Sequence, residues 1–231
     1  MLVDAKTLMP KQKRHADDAP LPPKVVYADD DLVVIDKPAG LLTSTTPREK
    51  RPTSLAILRH WFHDPRVRIG VIHRLDKDAS GLLVFSKNDG AYRSLKLQLK
   101  RRTIERVYLA LVQGKPNPPS GAIRGDLFEL PDGRVVRSRV PGKGEPAVTH
   151  FETLRVTGNR ALLRVTLETG RKHQVRAHLS QRGNPIVGDV MYGGPSSPRG
   201  LHLRATRLAF DHPRTGKRMI FEVGCPFADE G

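Results

Sequence analysis

Gly70-Val-Ile-His-Arg-Leu-Asp-Lys-Asp-Ala-Ser-Gly-Leu-Leu-Val-Phe-Ser86 reads as two short apolar strands, residues 70–73 and 82–86, on either side of a polar loop. The loop holds two carboxylates, Asp76 and Asp78, and two cations, Arg74 and Lys77. Charged groups on a loop pinned by flanking strands are where catalytic side chains gather. A lone loop carboxylate is more often simply solvated, so the rest of the chain has to decide between the two readings.

On the N-terminal side, Val25-Val-Tyr27 and Leu32-Val-Val-Ile35 are β-branched runs separated by Asp29-Asp30-Asp31, which predicts two strands around a turn. Lys37-Pro-Ala-Gly40 stops the second run. A short helix is expected over residues 54–62, capped by Thr53 or Ser54. After the loop, Asn88 caps a helix reaching about residue 101. On that helix Tyr92, Leu95 and Leu99 share one face and Arg93, Lys96 and Lys100 share another.

The second half is richer in strands, with the best candidates at residues 107–112, 147–156 and 161–169. A helix is expected over residues 172–181 with Gly183 just past its end, then strands at 201–210 and 219–223 around His212-Pro-Arg-Thr-Gly216. Many strands with few helices predict an α+β fold: a mostly antiparallel mixed sheet with flanking helices. Residues 1–23, basic and Pro-rich without apolar periodicity, are expected to be a flexible tail. Residues 24–231 are expected to form one catalytic domain.

Charge narrows the partner. Lys and Arg number 40 against 24 Asp and Glu, a net charge of +16 in 231 residues. Such a surplus costs self-repulsion unless a polyanion neutralises it, and nucleic acid is the natural one. An anionic membrane would call for a long basic amphipathic helix, and the sequence offers none. No run approaches a membrane span, the N-terminus has no apolar signal core, and a single cysteine, Cys225, rules out an internal disulfide; a cytoplasmic protein is expected.

A second polar cluster is Thr169-Gly-Arg-Lys-His-Gln-Val-Arg-Ala-His-Leu179. Cations at a helix start oppose the helix dipole, and an anionic partner explains them; a merely solvated basic face is the alternative. Arg176 lies at the edge of the apolar face made by Val175 and Leu179, so its stem can pack while its head reaches a cleft. His173 and His178 are spaced five apart and do not share a helix face, so no metal site is expected. No phosphate loop or dinucleotide fingerprint is present, and no cofactor is expected.

These segments, taken in order, resemble the RluA-type pseudouridine synthases. His73-Arg-Leu-Asp76 with Ser80-Gly-Leu-Leu83 is similar to their signature loop, and Asp30-Asp-Leu-Val-Val-Ile-Asp-Lys-Pro-Ala-Gly40 to their N-terminal motif. Arg106-Val-Tyr-Leu-Ala-Leu-Val-Gln-Gly114 is similar to their tyrosine motif and Thr169-Gly-Arg-Lys-His-Gln-Val-Arg176 to their arginine motif. Gly183-Asn-Pro-Ile-Val-Gly-Asp189, Tyr192-Gly193, Leu201-His202 and the 212–216 turn complete the pattern. Ala79 stands where Thr is usual, and Asp36 where Asn often precedes Lys-Pro.

The resemblance implies a pseudouridine synthase catalytic-domain fold. Residues 1–23 are too few for the S4-type domain that many relatives carry in front of it. It implies isomerisation of a specific uridine to pseudouridine in ribosomal or transfer RNA, with no cofactor. Asp76 is the implied catalytic carboxylate, Arg176 its partner, and Tyr108 the residue that stacks on the flipped uracil. Arg74 would assist extrusion of the base. Arg171, Lys172, Arg93, Lys96 and Lys100 are candidate phosphate contacts. A monomer is expected. Two other readings stand beside this one: a non-catalytic, ribosome-associated RNA-binding protein, and a glycoside hydrolase using Asp76 and Asp78. The second needs no basic surplus and usually offers aromatic platforms, whereas aromatics here are 5%.

Overall fold

The computed structural model describes residues 21–45, 51–138, 140 and 142–230. Most of the expected tail, residues 1–20, lies outside them. The described chain forms two compact units: the residues up to Ile104 together with Leu208–Val223, and Glu105–Arg207 together with Gly224 onward.

In the first unit β1 (Lys24–Ala28) and β2 (Leu32–Lys37) form an antiparallel hairpin, and β2 pairs in turn with β4 (Ser80–Ser86), again antiparallel. The Asx-type turn between β1 and β2 is made by Asp29, whose carboxylate accepts from the backbone N–H groups of Asp31 and Leu32 at 2.8 and 2.9 Å. A two-residue β3 (Gly70–Val71) joins the other side of β4. Residues 72 and 73, expected to extend this strand, already belong to the loop. Two helices accompany the strands: α1 (Ser54–Trp61), capped by the Thr53 hydroxyl, and α2 (Asp89–Lys100), capped by Asn88.

Leu95 of α2 packs with Leu32, Val34, Leu82, Val84, Leu208 and Phe210 into the core, and Leu99 lies against it. Tyr92, expected on that apolar face, is 39% exposed. Its ring instead fills the space over Gly70, where an added Cβ would come within 2.6 Å of it.

The second unit contains β5 (Glu105–Gln113), β6 (Ser120–Glu129), β7 (Val135–Arg137), β8 (Glu145–Thr157) and β9 (Arg160–Leu167) in the order β5-β9-β8-β6-β7, with antiparallel registers throughout. Strand β10 (Leu203–Asp211) starts in this unit and ends in the first, where β11 (Arg218–Glu222) pairs with it. The α+β expectation holds.

Helix α3 (Gln174–Gln181) starts two residues later than the pattern suggests. His173 takes a left-handed conformation, φ 50°, and this turns Arg171 and Lys172 out of the helix. Strands β6 and β7 were not anticipated. Residues 115–121, whose prolines give only a weak linker signal, run into the start of β6.

Candidate active site

The loop between β3 and β4 is held at its backbone, one residue on either side of Asp76. The Thr43 hydroxyl donates to the Leu75 carbonyl at 2.9 Å and accepts from the Leu75 N–H at 3.1 Å. The Lys77 carbonyl accepts from Gly40 N–H at 2.9 Å and from the Lys37 ammonium at 3.0 Å. Lys37 is fully buried, and its other two N–H groups go to the carbonyls of Pro38 and Leu41 at 2.9 and 2.7 Å. With three donors matched to three acceptors, the buried ammonium is satisfied by neutral groups. Burial pushes it down to about 8, while the nearby carboxylates of Asp78, Asp76 and Asp36 oppose the shift.

The clamp fixes Leu75 and Lys77 and leaves the Asp76 side chain half-buried at the surface of the unit. The segment 37–43 therefore anchors the backbone on both sides of this carboxylate. In the sequence that segment ends a strand and belongs to the N-terminal motif, with no role assigned to Lys37. The signal was present: Val33, Ile35 and Lys37 alternate on one face of β2, which points the lysine inward.

Arg74 is exposed on the same loop. Lys96 reaches from α2 to the Ile72 carbonyl at 3.0 Å, and its ammonium is shifted down by burial and by the charge of Arg74. The structure thus brings Arg74 and Lys96 together, and it gives Lys96 a structural contact besides its proposed phosphate contact. Arg93 and Lys100 are exposed on α2.

In the second unit Arg176 is buried on α3 in a bidentate pair with Asp189, Nε to Oδ2 and Nη2 to Oδ1 both at 2.7 Å. The side chains are 7% and 1% exposed. The Arg176 guanidinium lies over the Tyr192 ring, 4.8 Å from its centroid. The Tyr192 hydroxyl accepts from Val135 N–H at 2.7 Å and bonds His173 Nδ1 at 3.0 Å. The sequence reading gave Arg176 one carboxylate partner, Asp76. Asp189 takes the Nε–Nη2 edge; in the sequence it stands only as the end of the Gly183–Asp189 motif, with no role assigned.

Gln174, 2% exposed, ties the turn before α3 to β8. Its carbonyl oxygen accepts from Thr169 Oγ1 and Arg171 N–H, and its amide donates to the Val148 carbonyl and Thr149 Oγ1. Arg171 pairs with Glu145 at 2.8 Å, and Lys172 pairs with Glu129. Both cations are exposed enough to exchange these carboxylates for phosphate. Tyr108, on β5 opposite Val165, is 4% exposed. His178 is fully buried beside Thr149, and burial lowers it to about 4.

A third cluster, not anticipated, joins the two turns of the first unit. His212 Nδ1 accepts from the N–H groups of Arg214 and Thr215, so the other ring nitrogen carries the proton and donates to Asp29 at 2.8 Å. Arg214 grips both oxygens of Asp31 at 2.7 and 2.9 Å. Potential metal-ligand atoms of Asp29, Asp31 and His212 lie within 4.8 Å of one another. These hydrogen bonds make the cluster a clasp between the β1–β2 turn and the 212–216 turn.

Residues 31–181 match the family model described as RNA pseudouridylate synthase. The chain belongs to the RNA pseudouridylate synthase family. It is 36% identical over 222 residues to a Neisseria meningitidis protein named ribosomal large subunit pseudouridine synthase D, covering 90% of this chain and 59% of that one. It is 41% identical over 202 residues to an uncharacterized RNA pseudouridine synthase of Chloroflexus aurantiacus, covering 83% and 62%. The chain therefore spans about three fifths of the length of these relatives. Among solved structures, human RNA pseudouridylate synthase domain containing 4 superposes with a TM-score of 0.71 at 25% identity, covering 87% of this chain and 88% of that one. No helix among the described residues is long and apolar enough to cross a membrane.

Proposed function

We propose that the protein isomerises a specific uridine to pseudouridine in structured RNA, with Asp76 as the catalytic carboxylate. The observation that carries the reading is the backbone clamp on either side of Asp76, in a chain whose family is the RNA pseudouridylate synthases. Breaking the N1–C1′ bond, turning the uracil and bonding C5 to C1′ needs an ionised carboxylate held close to C1′. It needs no redox step or energy donor. A carboxylate whose neighbouring backbone is fixed loses little freedom when the sugar arrives.

Arg176 is the proposed partner that keeps Asp76 ionised, and Tyr108 the ring that stacks on the extruded uracil. Arg74 acts on the flipped state of the RNA, and Arg93, Lys96, Lys100, Arg171 and Lys172 contact phosphates. The protein works as a cytoplasmic monomer without a cofactor. Large-subunit ribosomal RNA is the first substrate to test, on the strength of the Neisseria relative's name; transfer RNA is the second.

The test is pseudouridine mapping on in vitro transcripts of both RNAs, incubated with the wild type and Asp76→Asn. Site-specific conversion by the wild type and none by the variant supports the reading. Turnover by the variant removes Asp76 from the role. RNA binding by a wild type that modifies neither transcript favours the non-catalytic RNA-binding reading.

A further inference from the structure

Asp189-Val-Met-Tyr192 buries its two ends and exposes its middle. Asp189 and Tyr192 are 2% and 9% exposed, while Val190 and Met191 are 67% and 48% exposed. They are the only two consecutive large hydrophobic residues exposed among the described residues. Scattered exposed apolar side chains need no explanation, but an adjacent pair on a stiff turn does.

The turn is stiff. Tyr192 N–H and Gly194 N–H both donate to the Asp189 carbonyl, at 3.0 and 2.9 Å, and Ser180 Oγ donates to the Tyr192 carbonyl at 2.7 Å. A Cβ on Gly194 would lie 2.0 Å from the Ile186 carbonyl oxygen, so the backbone there admits only glycine. Held this way, Val190 and Met191 cannot fold back into the core. Met191 Sδ also sits 3.8 Å from Arg176 Nη2, which places the exposed pair beside the buried guanidinium.

We propose that Val190 and Met191 form an apolar contact for a nucleobase of the RNA substrate. Two side chains offer too little surface for a stable protein interface, which takes on the order of 1,200 Å² or more. They match the face of one unstacked base, the form in which RNA sequence is usually read. The chain's net charge of +16 favours a polyanion over a neutral partner. Arg171 and Lys172, a few residues before Arg176, provide cations in the same unit for the flanking phosphates. This inference rests on the RNA substrate proposed above and adds a base-contacting surface to it.

The test compares two probes of equal charge, a short oligouridylate and an abasic ribose-phosphate oligomer of the same length. Val190→Ser combined with Met191→Ser is expected to weaken oligouridylate binding by about tenfold, by removing the apolar burial, and to leave the abasic oligomer within about twofold. Val190→Ile with Met191→Leu keeps the apolar surface and is expected to bind both probes like the wild type. Equal losses on both probes, or no loss on the oligouridylate, overturn the proposal; the second result assigns the pair to some other partner, a protein included. Because the contrast needs no turnover, it is separate from the mapping experiment. A wild type that makes no pseudouridine overturns the activity, and an unchanged probe ratio overturns the base contact.

Discussion

Among the described residues, Lys37 is a buried cation beside the proposed catalytic Asp76 in one unit and Arg176 is a buried cation itself proposed for the reaction in the other, and the two are satisfied in different ways. Lys37 donates to three neutral carbonyls and fixes backbone on the C-terminal side of Asp76. Arg176 is held by the Asp189 carboxylate through two parallel bonds, and that pairing fixes its own side chain. A lysine among carbonyls keeps a titratable proton, brought down to about 8 by burial. A bidentate arginine has none to lose at any ordinary pH. The first arrangement makes loop geometry sensitive to pH; the second makes a guanidinium rigid at the cost of a buried ion pair.

The largest expected effect breaks the second arrangement. Arg176→Met leaves Asp189 charged and buried without its bidentate partner, and should cost about 3–5 kcal/mol in a denaturant titration. If stability is unchanged, the pair does not hold this turn. A loss of activity in Arg176→Met therefore mixes fold and chemistry. Asp189→Asn sharpens the point by keeping the shape and weakening only the charge.

Next comes the loop clamp. Thr43→Val removes the hydroxyl that serves both polar groups of Leu75, and should cost about 1–3 kcal/mol. Turnover should fall along with stability, because the backbone just before Asp76 loses its Thr43 anchor. Full activity in a measurably destabilised Thr43→Val would show that the clamp serves the fold alone.

Lys37 gives a subtler test. The wild-type rate is expected to decline as pH rises through about 8, as the ammonium loses a proton and one of its three bonds. Lys37→Met should start from a lower rate and lack that decline. A variant with the same descending limb would assign the titration to another group.

The smallest effect concerns the clasp. Burial would raise Asp29, but hydrogen bonds from Leu32 N–H, Tyr27, Asp31 N–H and His212 outweigh it and hold the carboxyl below its usual range. Asp31 is held below its range in the same way: burial would raise it, but Arg214 and Asn88 prevail. A depressed folded-state value means that the stabilisation is complete above roughly pH 3.9 and is lost as pH falls through the depressed values. Urea melts from pH 7 down to pH 3 should show the loss, and it should be smaller in Asp29→Asn.

Much of this was legible in the sequence. The Asp76 loop stands out because apolar strands frame it, and Asn88 and Thr53 cap the helices they were expected to cap. What escaped notice depends on three-dimensional contacts more than on local pattern. Lys37 in Lys-Pro-Ala-Gly looks like a surface turn until three carbonyls surround it. Asp189 looks solvated until an arginine thirteen residues earlier folds onto it. Strands β6 and β7 hide because Gly121 and Gly125 break the alternation and Val135–Arg137 is only three residues long. Gly125 makes room for the Arg137 side chain, which a Cβ there would meet at 2.6 Å.

The central claim is that Asp76 is a catalytic carboxylate on a clamped loop, and single-turnover pseudouridine formation by Asp76→Asn tests it most directly. With large-subunit ribosomal RNA as substrate, the account predicts no detectable product while RNA affinity stays within about tenfold of the wild type. Product formed at a rate near that of the wild type would contradict it.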